Sequence, residues 1–470
     1  MNCFEEDVPM PLSPMADYFS SSLINVFVLC VVESEIPIDE SKFQPLLKNK
    51  LLPICSRFSS IMVTDKNGKK VWKQVDVNTE DHIKIPKFTS TNRTLKLYDE
   101  CLDEYMSKIA MEQLREDKPL WEVHIFNYPT TKAAGTIFVK LHHALGDGYS
   151  FMATFLSIIQ SADNPSLPIK LPSSKSVEST STNSMRKRLS QAASVVFKSA
   201  SDFGWSFLKS IVMPDEKTPL RSGHKDVGFR PMSIVNVSLS LDSIKEVKNK
   251  LKVSVNDVLV GAIFFGIQLY MKAKNHKSGT GSTALVLLNT RKIRAYISAK
   301  EMQNDSEAPW GNRFHFMHVP IPMLSDKNEL NPLEFVLLAK EKINRQRNSL
   351  AVPMTGVLLR LLNQIKGPEV ATNYLYKTMN NASLSISHMV GPAERVTLAD
   401  HPINGLYFMT VGLSQSITVT ITSYMGHLRV GFGVEEGFID EYQLKSCFET
   451  SLQKILEAAK KKNLPLKNRL

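Results

Sequence analysis

The sequence predicts an α+β fold: mixed layers of helix and sheet, built as two subdomains of similar make-up. Three observations predict it. The chain has 470 residues, too many for one ordinary hydrophobic core. Strand-like and helix-like patterns mix in both halves in similar proportion, so a structural duplication is expected although no sequence repeat is visible. Between the halves, "SADNPSLPIKLPSSKSVESTSTNS" (161–184) has the serine-, proline- and threonine-rich composition of a linker. The expected organisation is therefore 1–160 as an N-terminal subdomain, 161–224 as linker plus an amphipathic helix, and 225–470 as a C-terminal subdomain.

Hydrophobic residues make up 43% and charged residues 22% of the chain, a globular profile. A net charge of +11 and a pI near 9.2 suit an acidic partner, such as anionic lipid or a phosphorylated cofactor. Nucleic acid is not expected, because no basic tract is interleaved with aromatics and no zinc-finger spacing occurs. The five cysteines, Cys3, Cys30, Cys55, Cys101 and Cys447, are scattered and never form CxxC. That argues against a disulfide scaffold or zinc site and fits a reducing compartment. The opening "MNCFEEDVPMPLSP" is acidic and proline-rich, unlike a signal peptide.

In the first half, 22–33 reads as a buried strand, since "SLINVFVLCVV" is too short to span a bilayer. "IDESKFQPLLKNKLLPIC" reads as a helix capped by Asp39. "LWEVHIFNY" and "GTIFVKLHH" read as two strands joined by a polar turn, and "SFMATFLSIIQSA" as a helix. The second half restarts with the strand and helix of "MSIVNVSLSLDSIKEVKNKL", the helix entered near Asp242. "SVNDVLVGAIFFGIQLYMKA" follows as a buried core helix with Ser254 or Asn256 as its cap. "STALVLLNTRKI" and "NRFHFMHVPIP" are strand-like, "NPLEFVLLAKEKINRQRNSL" helical. "SLSISHMVGP" and "LYFMTVGLSQSITVTITSYMGHLRVGFGV" supply further strands, and a last helix runs through "DEYQLKSCFETSLQKILEAAKKK".

After the linker, apolar or small residues recur with helical period from Leu189 through Phe197, Phe203 and Phe207 to Ile211, so a helix is expected over about 186–212. It follows "RKR" and is interrupted by Lys198, Asp202 and Lys209. Packing on the protein's own core and lying in a membrane interface are both open. A full span is disfavoured by those charges.

"KLHHALGDG" (140–148) ends an apolar run with His142 and His143 where strand gives way to helix. Ordinary histidines, one buried and one exposed, are one reading. A shared metal is another, but adjacent histidines on a strand point to opposite faces. General-base catalysis is the third. A neutral imidazole takes a proton from a hydroxyl and returns it to a leaving group, while Gly146 and Gly148 let the chain turn and Asp147 closes back on the structure.

HHxxxDG is the signature of acyltransferases related to chloramphenicol acetyltransferase and to peptide-synthetase condensation domains. With "PLSPMADYF", "PLWEVHIF", "NDVLVGAI", "WGNRFHF", "VGPAERV" and "SYMGHLRVGFGV" in that order, almost the whole chain resembles the plant wax ester synthase/diacylglycerol acyltransferase family. The resemblance implies two chloramphenicol-acetyltransferase-like subdomains with a tunnel at their interface. It implies transfer from long-chain acyl-CoA to a fatty alcohol or diacylglycerol, with His143 as general base and His142 supporting its orientation. Asp147 and Gly148 would be structural, Asp147 paired with Arg291. The Asn256–Asp257 pair matches the family's asparagine–aspartate motif, where Asn256 would be an oxyanion donor or a cap. No metal and no cofactor are implied, acyl-CoA being a substrate. The location implied is the endoplasmic reticulum membrane, with the plasma membrane as a second site and the catalytic part facing the cytosol. Trp121 reads as core packing rather than a ligand contact.

The chain departs from the family pattern at Cys55-Ser56, where His-Pro is usual, at Ser387-His388-Met389, and at Arg313 and His315. Those positions leave chain-length and acceptor preference open. Two alternatives stand beside the main reading: an acyltransferase for a soluble alcohol or phenolic acceptor, and a non-catalytic lipid-binding protein. "SDFGWSF" only superficially echoes the "DFGWG" block of the soluble enzymes, because it sits just after the linker.

Overall fold

A computed structural model describes residues 10–88, 94–166, 169, 199–276, 281–291, 297–302, 309–323 and 331–461. The first half runs through α1 (Pro14–Phe19), β1 (Phe27–Ser34), α2 (Leu95–Met111), β2 (Trp121–Phe126), β3 (Gly135–His142) and α3 (Gly148–Ile158). The second begins with helix α4 (199–211), then β4 (Met232–Ser240), α5 (Leu241–Leu251), α6 (Val255–Ala273), β5 (Thr283–Asn289) and β6 (Phe314–Pro320). It continues with α7 (Pro332–Arg347), α8 (Ala351–Lys366), α9 (Pro368–Asn380), β7 (Leu384–Val390), β8 (Val396–Leu398) and β9 (His401–Val411). β10 (Ile417–Tyr424), β11 (His427–Glu435) and α10 (Glu441–Lys461) complete the chain.

Two large sheets organise these elements. The first has seven strands, in the order Gln160–Ser161, β8, β9, β1, β3, β2, Ile83–Lys84; the second has six, β4, β11, β10, β7, β5, β6. Each carries its own large apolar core. The sheets do not respect the expected division at 225, because β8 and β9 come from the C-terminal half yet complete the N-terminal sheet. β9 pairs antiparallel with β1, from Val411 opposite Phe27 to Gly405 opposite Glu33. The reason lies in β1: Val28, Leu29, Val31 and Val32 are all buried. A strand buried on both faces belongs in a sheet interior and needs a neighbour on each side.

Local chemistry explains most boundaries. Ser254, not Asn256, caps α6: its Oγ accepts from Asp257 N (3.0 Å) while Asp257 Oδ2 accepts from Ser254 N (2.8 Å), a reciprocal capping box. Ser240, not Asp242, caps α5. α6 is long and apolar enough to cross a membrane, but 78% of that stretch is buried inside the fold. The segment after Asp39 is not one helix but a chain of short turns, Glu40–Lys42, Phe43–Leu46, Leu47–Leu51 and Leu52–Ile54. Pro45 and Pro53 remove two backbone donors there.

Sequence patterning missed α8 and α9. α8 contains Pro353 and Gly356, and Pro353 falls in its first turn, where its missing N–H costs nothing.

Candidate active site

His142 ends β3 and His143 opens the loop to α3. The backbone of this loop is pinned: His143 N–H donates to Val26 O (2.8 Å) and Leu145 N–H to His142 O (3.0 Å). Leu145 O accepts from Arg57 Nη1 (3.2 Å) and Trp310 Nε1 (2.9 Å). Neither Gly146 nor Gly148 uses a positive φ, so the turn does not draw on glycine's backbone freedom as the motif suggests. Space favours glycine at 146 instead, since a Cβ there would lie 3.0 Å from Ser150 Cβ, tighter than ordinary contact.

Asp147 caps α3 and turns away from His143. Its Oδ1 accepts from Ser150 N (3.0 Å) and Ser150 Oγ (3.1 Å), and its Oδ2 from Arg313 N (2.8 Å). Arg291 grips both oxygens, Nη1 to Oδ2 at 2.7 Å and Nη2 to Oδ1 at 3.1 Å. Arg291 also donates to Gly311 O (2.6 Å) and Pro309 O (3.1 Å). This buried pair thus ties the motif loop of the first sheet to the 309–313 loop of the second lobe.

That tie delivers Asn312, which sequence reading did not single out. His143 Nδ1 lies 2.8 Å from Asn312 Oδ1, and Asn312 Nδ2 donates to His143 O at 2.8 Å. The second bond fixes the amide's orientation, so the atom facing Nδ1 is an acceptor. Nδ1 must then carry the proton, which leaves the Nε2 lone pair free, the tautomer a general base needs. The only signal in the sequence was "WGN" beside the noted Arg313 and His315. Nothing in a linear pattern pairs residue 312 with residue 143.

His143 is 5% exposed, its ring 4.6 Å from that of Phe19 and 5.5 Å from that of Phe314. Burial lowers its pKa below the ordinary histidine value, with nearby Asp147 opposing the shift. His142 is fully engaged elsewhere. Its Nδ1 accepts from Ala144 N (3.0 Å) and its Nε2 bonds Asn25 Oδ1 (2.8 Å). Burial first, then His143, pushes its pKa down to about 3. It holds the turn and has no ring nitrogen left for substrate.

The structure does not bring Asn256 to His143. It lies half-buried on the first turn of α6, which packs against α5, α7 and α10, and it does not line the His143 cavity. Asp257 closes the capping box. Trp121 is fully buried, with its Nε1 donating to Phe58 O (2.9 Å). Of the departures, Arg313 contributes its backbone N–H to Asp147, with its side chain exposed. The His315 ring lies against Gly356 of α8, where a Cβ would come within 2.9 Å.

Two cavities lie in this region of the fold. A small one holds His143 with Phe19, Phe314, Phe316, Ser385 and Thr418 among its walls. A larger one, almost wholly apolar, lies inside the first lobe between β1, β3 and α3. Phe151 lines the larger cavity, and its ring is 6.4 Å from that of His143.

The assigned tautomer has a testable consequence. A base with a lowered pKa stays unprotonated below the ordinary value of about 6.5. The acid limb of kcat/KM will therefore lie below pH 6.5, with the plateau intact above it. Asn312→Ala frees the ring and removes the tautomer lock, and kcat will fall about 100-fold. A pH–rate profile of both proteins checks the pair of statements.

Comparison with known proteins agrees along the length of the chain. The family model described as the wax ester synthase/diacylglycerol acyltransferase catalytic domain matches residues 62–259, and that of the WS/DGAT C-terminal domain matches residues 310–456. Wax ester synthase/diacylglycerol acyltransferase 5 of Arabidopsis thaliana is 29% identical over 96% of this chain and 94% of its own length. Number 4 of the same plant is 28% identical over 97% and 92%. Among solved structures, the wax ester synthase/diacylglycerol acyltransferase from Marinobacter aquaeolei superposes with a TM-score of 0.60 at 14% identity, covering 96% of this chain and all 100% of that one. The first condensation domain of the calcium-dependent antibiotic synthetase shares the fold, with a TM-score of 0.57 at 11% identity and 97% of each chain covered. The chain belongs to the wax ester synthase/diacylglycerol acyltransferase family and is an acyltransferase.

Proposed function

We propose that the chain transfers the acyl group of a long-chain acyl-CoA to a fatty alcohol, giving a wax ester, and takes diacylglycerol as a second acceptor. The observation that carries this reading is His143: a buried imidazole locked by Asn312 as the Nε2 base, in a small cavity of its own, with Phe151 of a second, apolar cavity 6.4 Å away ring to ring. His143 takes the acceptor's hydroxyl proton as that oxygen attacks the thioester carbonyl. The same proton then goes to the departing CoA sulfur. The chemistry runs downhill, so the fold's tasks are to align two substrates and to handle one proton. The apolar cavity suits an acyl chain, each buried methylene contributing about 0.8 kcal/mol.

The reading includes work at a membrane surface, on the cytosolic side of the endoplasmic reticulum and also at the plasma membrane. Residues 186–198 of the expected amphipathic helix lie outside the described residues. The described part, α4, is turned differently from a simple core helix. Ser199, Asp202, Ser206 and Ser210 are buried, while Trp205 and Leu208 are exposed. The polar side is drawn inward by partners: Ser206 Oγ bonds His318 Nδ1 (2.8 Å), and Arg345 Nε donates to Asp202 Oδ1 (2.9 Å). Beside it, α8 and the residue preceding it expose Leu350, Met354, Val357, Leu361 and Ile365 along one face. Leu350 N–H donates to Ser199 Oγ (3.0 Å), which joins α4 to the residue before α8. An exposed apolar stripe of helical period suits a lipid interface.

The test is purified chain with labelled palmitoyl-CoA and a panel of acceptors, run with and without anionic lipid vesicles. Ester is expected from long-chain alcohol and in smaller amount from diacylglycerol, with the protein floating with vesicles. Leu361→Glu with Ile365→Glu will release it. Ester formed only on a short or phenolic acceptor overturns the substrate reading, and unchanged flotation of the double variant overturns the surface.

A further inference from the structure

β7 and β10 lie side by side in parallel, with Ser385 opposite Thr418 and Ser387 opposite Thr420. Their sequences, "SLSISHM" and "ITVTITS", alternate apolar and hydroxyl residues. In an ordinary half-buried sheet the hydroxyl side faces water. Here Leu384, Ile386, Ile417, Val419 and Ile421 enter the second core, and the hydroxyl side is buried as well. Ser385 is 2% exposed, and Thr418 and Thr420 are each 1% exposed.

Thr420 satisfies its hydroxyl by donating to Phe408 O at 2.6 Å. The Ser385 and Thr418 hydroxyls have no partner among the described residues. Both line the cavity that holds His143. A buried hydroxyl without a partner has lost its water without replacement, and each such group in a native fold calls for an explanation. Two of them, adjacent in register and lining one small cavity together with His143, form a pair of donors waiting for an acceptor. Asn256, the donor the sequence suggested, is not there.

We propose that Ser385 and Thr418 are catalytic residues that donate hydrogen bonds to the thioester carbonyl oxygen of the acyl donor. The inference rests on the acyl-transfer reading above and deepens it. As His143 Nε2 removes the acceptor proton, the new C–O bond forms and the carbonyl pair moves onto oxygen. The two hydroxyls hold the resulting oxyanion. Collapse restores C=O and breaks the C–S bond. The pair leaves on sulfur, and protonated His143 gives its proton to that thiolate, releasing CoA as the free thiol. Donors preset for charge that develops only in the transition state lower the barrier without tightening the ground state.

The experiment compares wild type with Thr418→Val, Thr418→Ser and Ser385→Ala in ester synthesis from palmitoyl-CoA and hexadecanol, with the thermal midpoint measured on each. Valine keeps threonine's shape and removes the donor. Thr418→Val and Ser385→Ala are each expected to lose roughly 100-fold in kcat, with KM within about twofold and the thermal midpoint unchanged or higher. The two changes in rate and stability run in opposite directions only if the hydroxyl is unsatisfied in the resting fold. Thr418→Ser keeps the donor and is expected to stay within about threefold of wild type. If Thr418→Val and Ser385→Ala both keep wild-type kcat, or lose activity only together with thermal midpoint, the inference is overturned. A wild type that makes no ester from any acyl-CoA overturns the acyl-transfer reading itself, a separate result.

Discussion

Replacing His143 with alanine will lower kcat/KM for ester formation by at least ~100-fold, the lower range for loss of a positioned general base. The substitution removes the only imidazole that lines this cavity among the described residues, and both ring nitrogens of His142 are committed to Ala144 N–H and Asn25. No neighbour is placed to take over. His142→Ala loosens the turn but leaves the base in its Asn312 grip, so the two variants will separate in kcat. Labelled product from matched amounts of folded protein measures this, and equal ester from wild type and His143→Ala would refute the assignment. The cavity around His143 is apolar apart from its hydroxyls, so truncation frees space without exposing a new charge, and the variant will fold.

Asp147→Asn will act chiefly on stability. It leaves the Arg291 guanidinium, whose side chain is 1% exposed, without its carboxylate. Breaking one side of a buried, hydrogen-bonded ion pair costs about 3–5 kcal/mol. The amide also turns an NH2 toward a guanidinium that has only donors to offer. Adding Arg291→Met removes the orphaned charge and will recover part of the loss, a non-additivity that denaturant unfolding of the two single variants and the double variant can read. Activity will fall as a consequence, because the Asp147–Arg291 tie is what carries the 309–313 loop, and with it Asn312, to His143. A stable, well-folded but inactive Asp147→Asn protein would contradict this structural role.

Several features were legible along the chain because their physics is local. The strands and helices of both halves follow from hydrophobic period. α6 was readable as a core helix, since an uncharged run that short is better buried in protein than in a bilayer. The motif loop was readable because HHxxxDG is contiguous, and the arginine across from Asp147 was legible by resemblance. The capping residues were less so. Ser254 and Asn256 both satisfy the pattern, and only the box closed by Asp257 chooses between them. α8 escaped notice because a proline that would break a helix interior is harmless in its first turn.

By itself the sequence determined which segments must be buried, where strand turns to helix at His142 and His143, and the family to which those residues belong. These are properties of neighbours in the chain, written in its spacing. Tertiary structure alone decided that β9 crosses to the first sheet, that α4 seats its polar side inward, that Asn312 rather than Asn256 is the amide bonded to His143, and that Ser385 and Thr418 line the His143 cavity without partners. Each of these depends on contacts between residues far apart in the chain. Whether a hydroxyl or an amide is satisfied is a question about what lies opposite, and only packing answers it.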